Sequence, residues 1–239
     1  MSTRRRAAQR SDSTYVQGYG DPLVRRLLAA PVSASSSPRR TQAERVEKST
    51  RRLLEAAAEL IASQGYHSTT AAQIAERAGY SRELVRARFG SKGALIREIL
   101  ATEYRDTFRP DTSGLAGLHA GFDRLTELSR RSPVFLRAVF VLNLEAATSI
   151  PELRDDQTAW LAEVGAQFQR RLEEGIADGS VRADIDPADT ARELVALSVG
   201  AAYLFVLDPD ETDPAQIPRR RVDELRTEDR TEIRRPKTG

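Results

Sequence analysis

The chain reads TTAAQIAERAGYSRELVRARFGSK over residues 69–92. Within this stretch Ala75, Gly79 and Val85 lie at relative positions 0, +4 and +10. A small residue lets two short helices cross closely, a glycine allows left-handed geometry in the turn, and an apolar residue points inward from the second helix. The stretch therefore predicts a helix-turn-helix unit. The other predicted members of its small core are Ile74, Ala78, Leu84 and Phe89.

Hydroxyl side chains mark the predicted start of each short helix. Thr70 followed by Gln73 matches a capping box, in which each side chain binds the backbone amide of the other residue. Ser81 and Ser91 are N-cap candidates for the next two helices, because a serine oxygen accepts a hydrogen bond from the first free backbone amides. The spacing predicts helices that begin near residues 71, 82 and 92.

The outward side of this unit is basic. From Arg77 to Arg97 there are six basic residues and one acidic residue. Arginine suits bidentate contact with guanine edges or phosphate, and a helix start with a hydroxyl can hold a phosphate. The alternative is that these are solvated arginines on three short helices. The joint pattern of caps, glycine turn, apolar inner positions and one basic side favours DNA binding.

Apolar residues recur at three- and four-residue steps along most of the remaining chain, which is the period of an amphipathic helix. The predicted further helices cover about 44–65, 91–104, 114–131, 133–147, 151–178 and 187–207. No stretch alternates with a period of two, so the predicted fold class is all-α. An N-terminal three-helix helix-turn-helix domain precedes a C-terminal helical domain.

Composition and charge divide the chain further. Residues 1–40 are predicted to be a disordered basic tail, 41–109 the DNA-binding domain with a connecting helix, 110–208 a second helical domain, and 209–239 a disordered charged tail. Residues 1–43 carry a net charge of +6 and residues 110–208 a net charge of −7. A basic half beside an acidic domain is typical of a polyanion-binding protein.

Several function classes lack support in the sequence. The 239 residues contain no cysteine, which excludes disulfides and thiolate metal sites, and no apolar run approaches the roughly 20 residues that cross a bilayer. The predicted location is the cytoplasm. There is no phosphate loop, dinucleotide fingerprint, metal-ligand cluster or nucleophile elbow, so we expect no enzyme, catalytic residue, cofactor or metal site.

A set of short motifs over residues 39–100 supports a more specific identification. They are the Arg-x-x-Leu-x-Ala-Ala stretch at 51–57, Gly65–Tyr66, Thr70, Ile74–Ala75, Ala78–Gly79, Ser81, Phe89 and Ser91–Lys92. With these motifs the chain resembles the TetR family of transcriptional repressors; over residues 110–208 the resemblance is looser. It implies a ligand-responsive repressor that binds a palindromic operator as a homodimer.

The resemblance assigns roles at the DNA. Thr70 and Lys92 would contact phosphates, and Arg82, Glu83 and Leu84 would face base edges. The whole predicted DNA-binding set is Thr69, Thr70, Ser81, Arg82, Glu83, Leu84, Arg86, Arg88, Ser91 and Lys92. The chain departs from the family where Arg86 and Arg88 replace the usual Tyr and His or Tyr, and where Gly93 replaces an acidic residue or Gln. These departures concern which bases are read rather than DNA binding itself.

The C-terminal helices would hold a dimer seam and a ligand pocket. In the family the last two helices of each subunit form a four-helix bundle, and spacing the two recognition helices about 34 Å apart favours a palindrome. Seam candidates, for which burial within one chain is the equal alternative, are Val164, Phe168, Leu172, Leu197, Ala201 and Phe205.

A small-molecule inducer, of apolar character by preference, would bind among the same helices. The predicted polar pocket groups are His119, Asn143, Glu145, Trp160, Gln167 and Tyr203. Asn143 interrupts an apolar helix, and a hydrogen bond to another helix explains it equally well. A histidine at a position such as 119 is more often a surface residue, or a core residue whose hydrogen bonds are made within the protein. Residues 97–109 would form the connecting helix that transmits ligand binding to the DNA-binding domain.

Two alternatives accompany this interpretation. The chain could be a helical interaction or ligand-binding protein that keeps a helix-turn-helix fold without sequence-specific DNA recognition. The arginine-rich tail could be a minor-groove or phosphate arm, or a passive segment. We favour the passive interpretation, except for Arg39 and Arg40 beside the first helix.

Overall fold

The structure is a computed structural model that describes residues 41–100, 107–108 and 112–227. The predicted tail at 1–40, most of the connecting segment after Leu100, and residues 228–239 lie outside the described residues. Within the described part the regular structure is helical, and the one β contact is an isolated antiparallel bridge between Val181 and Arg226. The predicted all-α fold is confirmed.

Four helices build the N-terminal domain. They are α1 (Gln42–Ser68), α2 (Ala71–Ala78), α3 (Arg82–Phe89) and α4 (Lys92–Leu100). Thr41 and Glu44 form a capping box at the start of α1. Near its end α1 kinks at Gly65, whose φ of 78° and ψ of 174° lie in a region that is essentially reserved for glycine. The kink turns the last residues of α1 toward the C-terminal domain.

The C-terminal domain consists of longer helices. They are α5 (Gly114–Arg131), α6 (Pro133–Thr148), α7 (Pro151–Asp178) and α8 (Pro187–Leu207). Proline begins α6, α7 and α8, where its missing amide hydrogen costs nothing. The rings of Phe108, Phe122 and Phe168 meet at centroid distances of 5.3–5.8 Å and tie α5 to α7. These helices agree closely with the predicted spans.

The prediction of a disordered tail from residue 209 is wrong for the residues that the structure describes. A further helix, α9 (Gln216–Asp223), packs against α5 and α8. Ala215, Val222 and Leu225 are fully buried. The segment contains too few apolar residues to show a helical period, and its prolines favoured a tail. Its order comes from contacts with helices distant in sequence, which no local pattern records.

Helix α8 is apolar on nearly every side. By length and composition it could cross a membrane, yet core helices of folded domains meet the same criterion, and one third of its apolar window is buried in this chain. It therefore contributes one side to the core and leaves another apolar side uncovered.

Candidate nucleic-acid interface

The helix-turn-helix has the geometry that its sequence predicts. The Thr70 hydroxyl accepts from the Gln73 amide, and the Gln73 side chain accepts from the Thr70 amide. Gly79 ends α2 with φ 76° and ψ 35°, the left-handed conformation that glycine adopts without strain. Ala75 and Val85 are buried where α2 and α3 meet. Backbone and core together fix the direction in which the outer side of α3 points.

That outer side carries the charged residues. Arg82, Glu83 and Arg86 are exposed, whereas Leu84 is partly covered by the domain core. A recess of about 380 Å³ lies beside α3 and is lined by Arg82, Arg86, Ser91 and Lys92, among others. The structure thus brings together four residues that the sequence assigned to DNA. At the edge of the recess the Ser91 hydroxyl accepts from the Ala94 amide and caps α4.

Glu83 is ionised at the start of α3. Its own backbone amide and the Ser81 hydroxyl hold the pKa of its carboxyl below the usual value, while slight desolvation opposes them. An ionised carboxylate accepts hydrogen bonds only, and cytosine offers the matching N4 donor in the major groove. Glu83 therefore suits base contact and would repel phosphate.

Lys92 lines the recess and also makes contacts inside its own domain. Its Nζ donates to the carbonyl oxygens of Tyr66 and Thr69, both at 2.9 Å, and lies 3.6 Å from the centroid of the Tyr66 ring. Burial lowers the pKa of the ammonium group, and the carboxylates of Glu145 and Glu152 partly offset that effect. Lys92 therefore caps the end of α1.

Two other predicted DNA contacts are also engaged inside the domain. Thr69 is 0% exposed, and its hydroxyl donates to the Gly65 carbonyl oxygen at 2.8 Å. Arg88 donates from Nη2 to the Ser49 hydroxyl oxygen at 3.1 Å, which fastens α3 to α1. Both side chains hold helices in place in this structure. For Arg88, a local sequence pattern could not separate this role from DNA contact, because its partner is 39 residues away.

Replacing Lys92 with methionine should lower the free energy of unfolding by about 1–3 kcal/mol, since two partly buried carbonyls would be left without a charged donor. Chemical denaturation of the purified protein measures this. The control is Arg52→Met, which removes one positive charge from the exposed side of α1. Equal stability of the two variants would contradict the capping role and leave Lys92 as a phosphate ligand alone.

The corner between α6 and α7 joins the two domains. The two helices meet at an angle of 109°. Glu145 on α6 accepts from the Tyr66 amide at 2.9 Å, and His67 Nε2 lies 2.8 Å from the Ser149 carbonyl oxygen. On α7, Asp156 accepts from Arg97 at 3.4 Å. The sequence placed Glu145 in the ligand pocket and Arg97 in the connecting helix, and it missed His67, Ser149 and Asp156, because only the fold brings these residues together.

An apolar cavity of about 200 Å³ lies between α6, α7 and α8. Of the predicted ligand-binding residues, Asn143 and Trp160 line it. The others lie elsewhere. Glu145 faces the junction, and Gln167 is buried on α7 with its amide nitrogen 3.4 Å from Glu163 Oε1.

The two remaining predicted pocket groups are also outside the cavity. His119 lies beside a different recess, with Nε2 3.4 Å from Asp223 Oδ1. Tyr203 is 51% exposed on the outer side of α8. An amphipathic pattern places residues on a helix face, but it does not say which neighbouring helix that face meets.

The predicted dimer-seam residues are mostly buried within the chain. Leu197 is half-buried, and the other five belong to the interior: Val164, Phe168, Leu172, Ala201 and Phe205. The exposed apolar residues of α8 are instead Val199, Tyr203, Leu204 and Leu207. Because α8 is apolar all round, its sequence could not distinguish the side packed on α7 from the free side.

Comparison with known proteins identifies the chain. The family model described as "Bacterial regulatory proteins, tetR family" matches residues 53–99. A second family model, described as "Tetracyclin repressor-like, C-terminal domain", matches residues 114–220. The HTH-type transcriptional repressor KstR2 of Rhodococcus jostii is 30% identical over 142 residues, which cover 56% of this chain and 68% of KstR2.

Solved structures show the same fold. A TetR-family regulator from Agrobacterium tumefaciens has a TM-score of 0.61 at 19% identity, covering 76% of this chain and 100% of that one. The SmeT–triclosan complex has a TM-score of 0.60 at 21% identity, covering 80% and 96%. TylP from Streptomyces fradiae has a TM-score of 0.58 at 22% identity, covering 79% and 90%. The chain belongs to the TetR family and is a DNA-binding transcriptional regulator.

Proposed function

We propose that the chain is a cytoplasmic repressor that binds a palindromic DNA site as a homodimer and leaves it when a small molecule occupies the cavity between α6, α7 and α8. The observation that carries this proposal is the recess beside α3, where Arg82, Arg86, Ser91 and Lys92 converge next to an exposed helix. The names of KstR2, a repressor, and of SmeT, in complex with triclosan, agree with the repressor and ligand parts.

At the DNA, the contacts divide by chemistry. Arg82, Glu83 and Leu84 on the first turn of α3 would read base edges in the major groove. Arg86, Thr70 and Ser91 would hold phosphates, through a guanidinium and through two helix starts with exposed hydroxyls. Lys92 would add its charge from the wall of the recess while it caps α1. Phosphate contacts fix the position of the helix on the duplex, and base contacts decide which DNA sequence is recognised.

The proposed dimer interface is the uncovered side of α8. Val199, Tyr203, Leu204 and Leu207 recur at three- and four-residue steps, and a Cβ atom added at Gly200 between them would meet nothing within 4 Å. Small exposed residues on α7, Ala159, Ala162 and Ala166, follow a matching spacing. A stripe of this kind is typical of a seam in a four-helix bundle. A second copy of the chain is the partner that fits it.

Ligand response would pass through the corner of α6 and α7. Asn143, Leu144 and Ala147 of α6 and Arg154 and Gln157 of α7 line the cavity. From the same turns Glu145, Ser149 and Asp156 contact the DNA-binding domain. A ligand that shifts these turns would therefore move Tyr66, His67 and Arg97. Linkage requires that the ligand prefer the arrangement in which the two recognition helices no longer fit successive grooves.

The experiment that tests this function is selection of duplexes from a random pool by the purified protein, followed by titration of the selected duplex. We expect a palindromic sequence whose half-sites are centred about 10 base pairs apart or a multiple of that. If the selection enriched no sequence above the starting pool, the proposal would be contradicted. That result would favour a protein that keeps the fold without sequence-specific DNA recognition.

Leu204→Asp should convert the dimer to a monomer, because it places a charge in the centre of the apolar stripe. The selected duplex should then bind at least tenfold more weakly, since two half-sites no longer bind as one unit. Light scattering after size-exclusion chromatography measures the mass. The matched control is Val134→Asp on α6, which alters an aliphatic residue of similar exposure, 49% against 44% for Leu204. If Leu204→Asp remained dimeric with unchanged circular dichroism, the interface would lie elsewhere.

A further inference from the structure

The cavity between α6, α7 and α8 contains one cationic side chain and no carboxylate. Most of its lining is apolar, and neither Asp nor Glu contributes to it. Three lining side chains, Asn143, Arg154 and Gln157, have no hydrogen-bond or ion-pair partner anywhere in the described part of the chain. All three can donate, and Arg154 carries a permanent positive charge. A cavity with free donors and one cation suits an acceptor-rich, anionic group.

The hydroxyl groups in the lining do not add to this set. The Thr158 hydroxyl donates to the Arg154 carbonyl oxygen at 2.9 Å, and the Ser198 hydroxyl donates to the Leu194 carbonyl oxygen at 2.7 Å. Both hydroxyl protons are therefore donated to backbone carbonyl oxygens of the same helix. The donors open to a ligand are therefore two amides and a guanidinium.

Two of these groups, Arg154 and Gln157, lie on the first two turns of α7. Arg154, Gln157, Leu161 and Val164 face the cavity from successive turns of α7. Ten residues of helix span about 15 Å at about 1.5 Å per residue. Arg154, on the first turn, is exposed, whereas Val164 is buried, as is Phe108 in the same lining. The cavity therefore runs from a charged, solvent-facing end to an apolar interior.

Arg154 supplies the positive charge at the exposed end of the cavity. It follows Pro151, which has no N–H, on the first turn of α7, where the Leu153 amide already donates to the Ile150 carbonyl oxygen and Glu152 lies outside the cavity lining. The guanidinium therefore favours negative charge at this end, and the apolar residues deeper in the cavity disfavour it.

We propose that the ligand is an amphipathic carboxylate of medium chain length, with its carboxylate at Arg154 and its hydrocarbon chain directed toward Val164 and Phe108. Gln157 and Asn143 would donate to the remaining carboxylate lone pairs. The volume of about 200 Å³ suits a buried part of about six to ten carbon atoms, since an apolar cavity of about 150 Å³ holds benzene. This inference rests on the ligand-responsive function proposed above.

The chain offers a local reporter for the test. Its single tryptophan, Trp160, lines the cavity. Titrating octanoate and, separately, 1-octanol while following tryptophan emission compares a carboxylate with a neutral alcohol of the same chain length. In the unmodified protein we expect octanoate to bind at least tenfold more tightly, which is the size of effect that one charge-assisted hydrogen bond provides.

Arg154→Met should abolish that preference, because it removes the charge and keeps an apolar stem. Arg170→Met is the matched control, an exposed arginine on the same helix outside the cavity, and should keep the preference. Equal binding of octanoate and 1-octanol, a preference that survives Arg154→Met, or unchanged emission with both ligands would each overturn the proposal.

The same protein samples separate this proposal from the function on which it rests. If the selected duplex binds and octanoate does not, only the ligand class is wrong. If octanoate binds as expected but does not weaken duplex binding, the site and ligand class stand and the coupling between them fails. If no duplex is bound at all, the repressor function fails, whatever the outcome with octanoate.

Discussion

Replacing Gly65 with alanine is expected to lower the free energy of unfolding by about 2–4 kcal/mol. The backbone at Gly65 has φ 78° and ψ 174°, where a Cβ atom is strongly disfavoured. That Cβ would also lie 2.5 Å from Glu145 Oε1. The flexible carboxylate could move aside, but its hydrogen bond to the Tyr66 amide would then break. Denaturant titration followed by circular dichroism gives the free energy.

A double-mutant cycle divides this cost into its two parts. Glu145→Ala removes the atom that the new Cβ would meet, so Gly65→Ala should cost less in that background by 0.5 kcal/mol or more, as is usual for residues in contact (about 0.5–3). The remainder measures backbone strain. Gly93→Ala is the control, because its Cβ would meet nothing nearer than 3.8 Å within a helix. If Gly65→Ala were as stable as Gly93→Ala, the kink would not require glycine.

The double substitution Arg82→Ala/Arg86→Ala is expected to weaken binding of the selected duplex by at least about 10³-fold, because the dimer loses four arginines at about 1–3 kcal/mol each. Both side chains are exposed and line the recess beside α3. If Arg86 of each subunit binds a phosphate, the slope of log affinity against log salt concentration should become less steep by about two units. Fluorescence anisotropy at several salt concentrations measures both quantities.

A charge-matched control distinguishes these contacts from general attraction to DNA. Arg52 and Arg77 are exposed in the same domain but outside the recess, and Arg77 pairs with Glu59 at 2.7 Å. Arg52→Ala/Arg77→Ala should reduce affinity much less than the recess pair does. An equal reduction in the two double variants, or unchanged affinity and salt slope for Arg82→Ala/Arg86→Ala, would show that α3 is not the recognition helix.

The helix-turn-helix illustrates how much of a site local sequence can specify. Thr70 with Gln73, Gly79 and Ser81 act on partners within four residues, so their spacing alone predicted the caps and the turn that the structure shows. The long C-terminal helices were likewise predictable, because proline starts and apolar periods are local signals. Membership of the TetR family followed from the same short motifs.

The uses of individual side chains were less predictable. Sequence placed Lys92 and Thr69 at the DNA, and the structure shows both in contact with the kinked end of α1. It placed Glu145 in a ligand pocket, and the structure shows it bound to the Tyr66 amide, 79 residues away. A hydroxyl or charge in a helical pattern indicates a polar partner without naming it. The partner depends on which distant segment the fold brings within about 3 Å.

The sequence by itself determined the helices up to Leu207, the basic side of the recognition helix and the family, because each depends on residues one to four positions apart. Only the tertiary structure decided which side of α8 stays free, that residues 216–223 form a helix, and which polar groups remain unpaired in the cavity. These features arise from packing between segments far apart in the chain. The physical reason is that burial and hydrogen-bond pairing are properties of the assembled core, whereas helical period and capping are properties of a single turn.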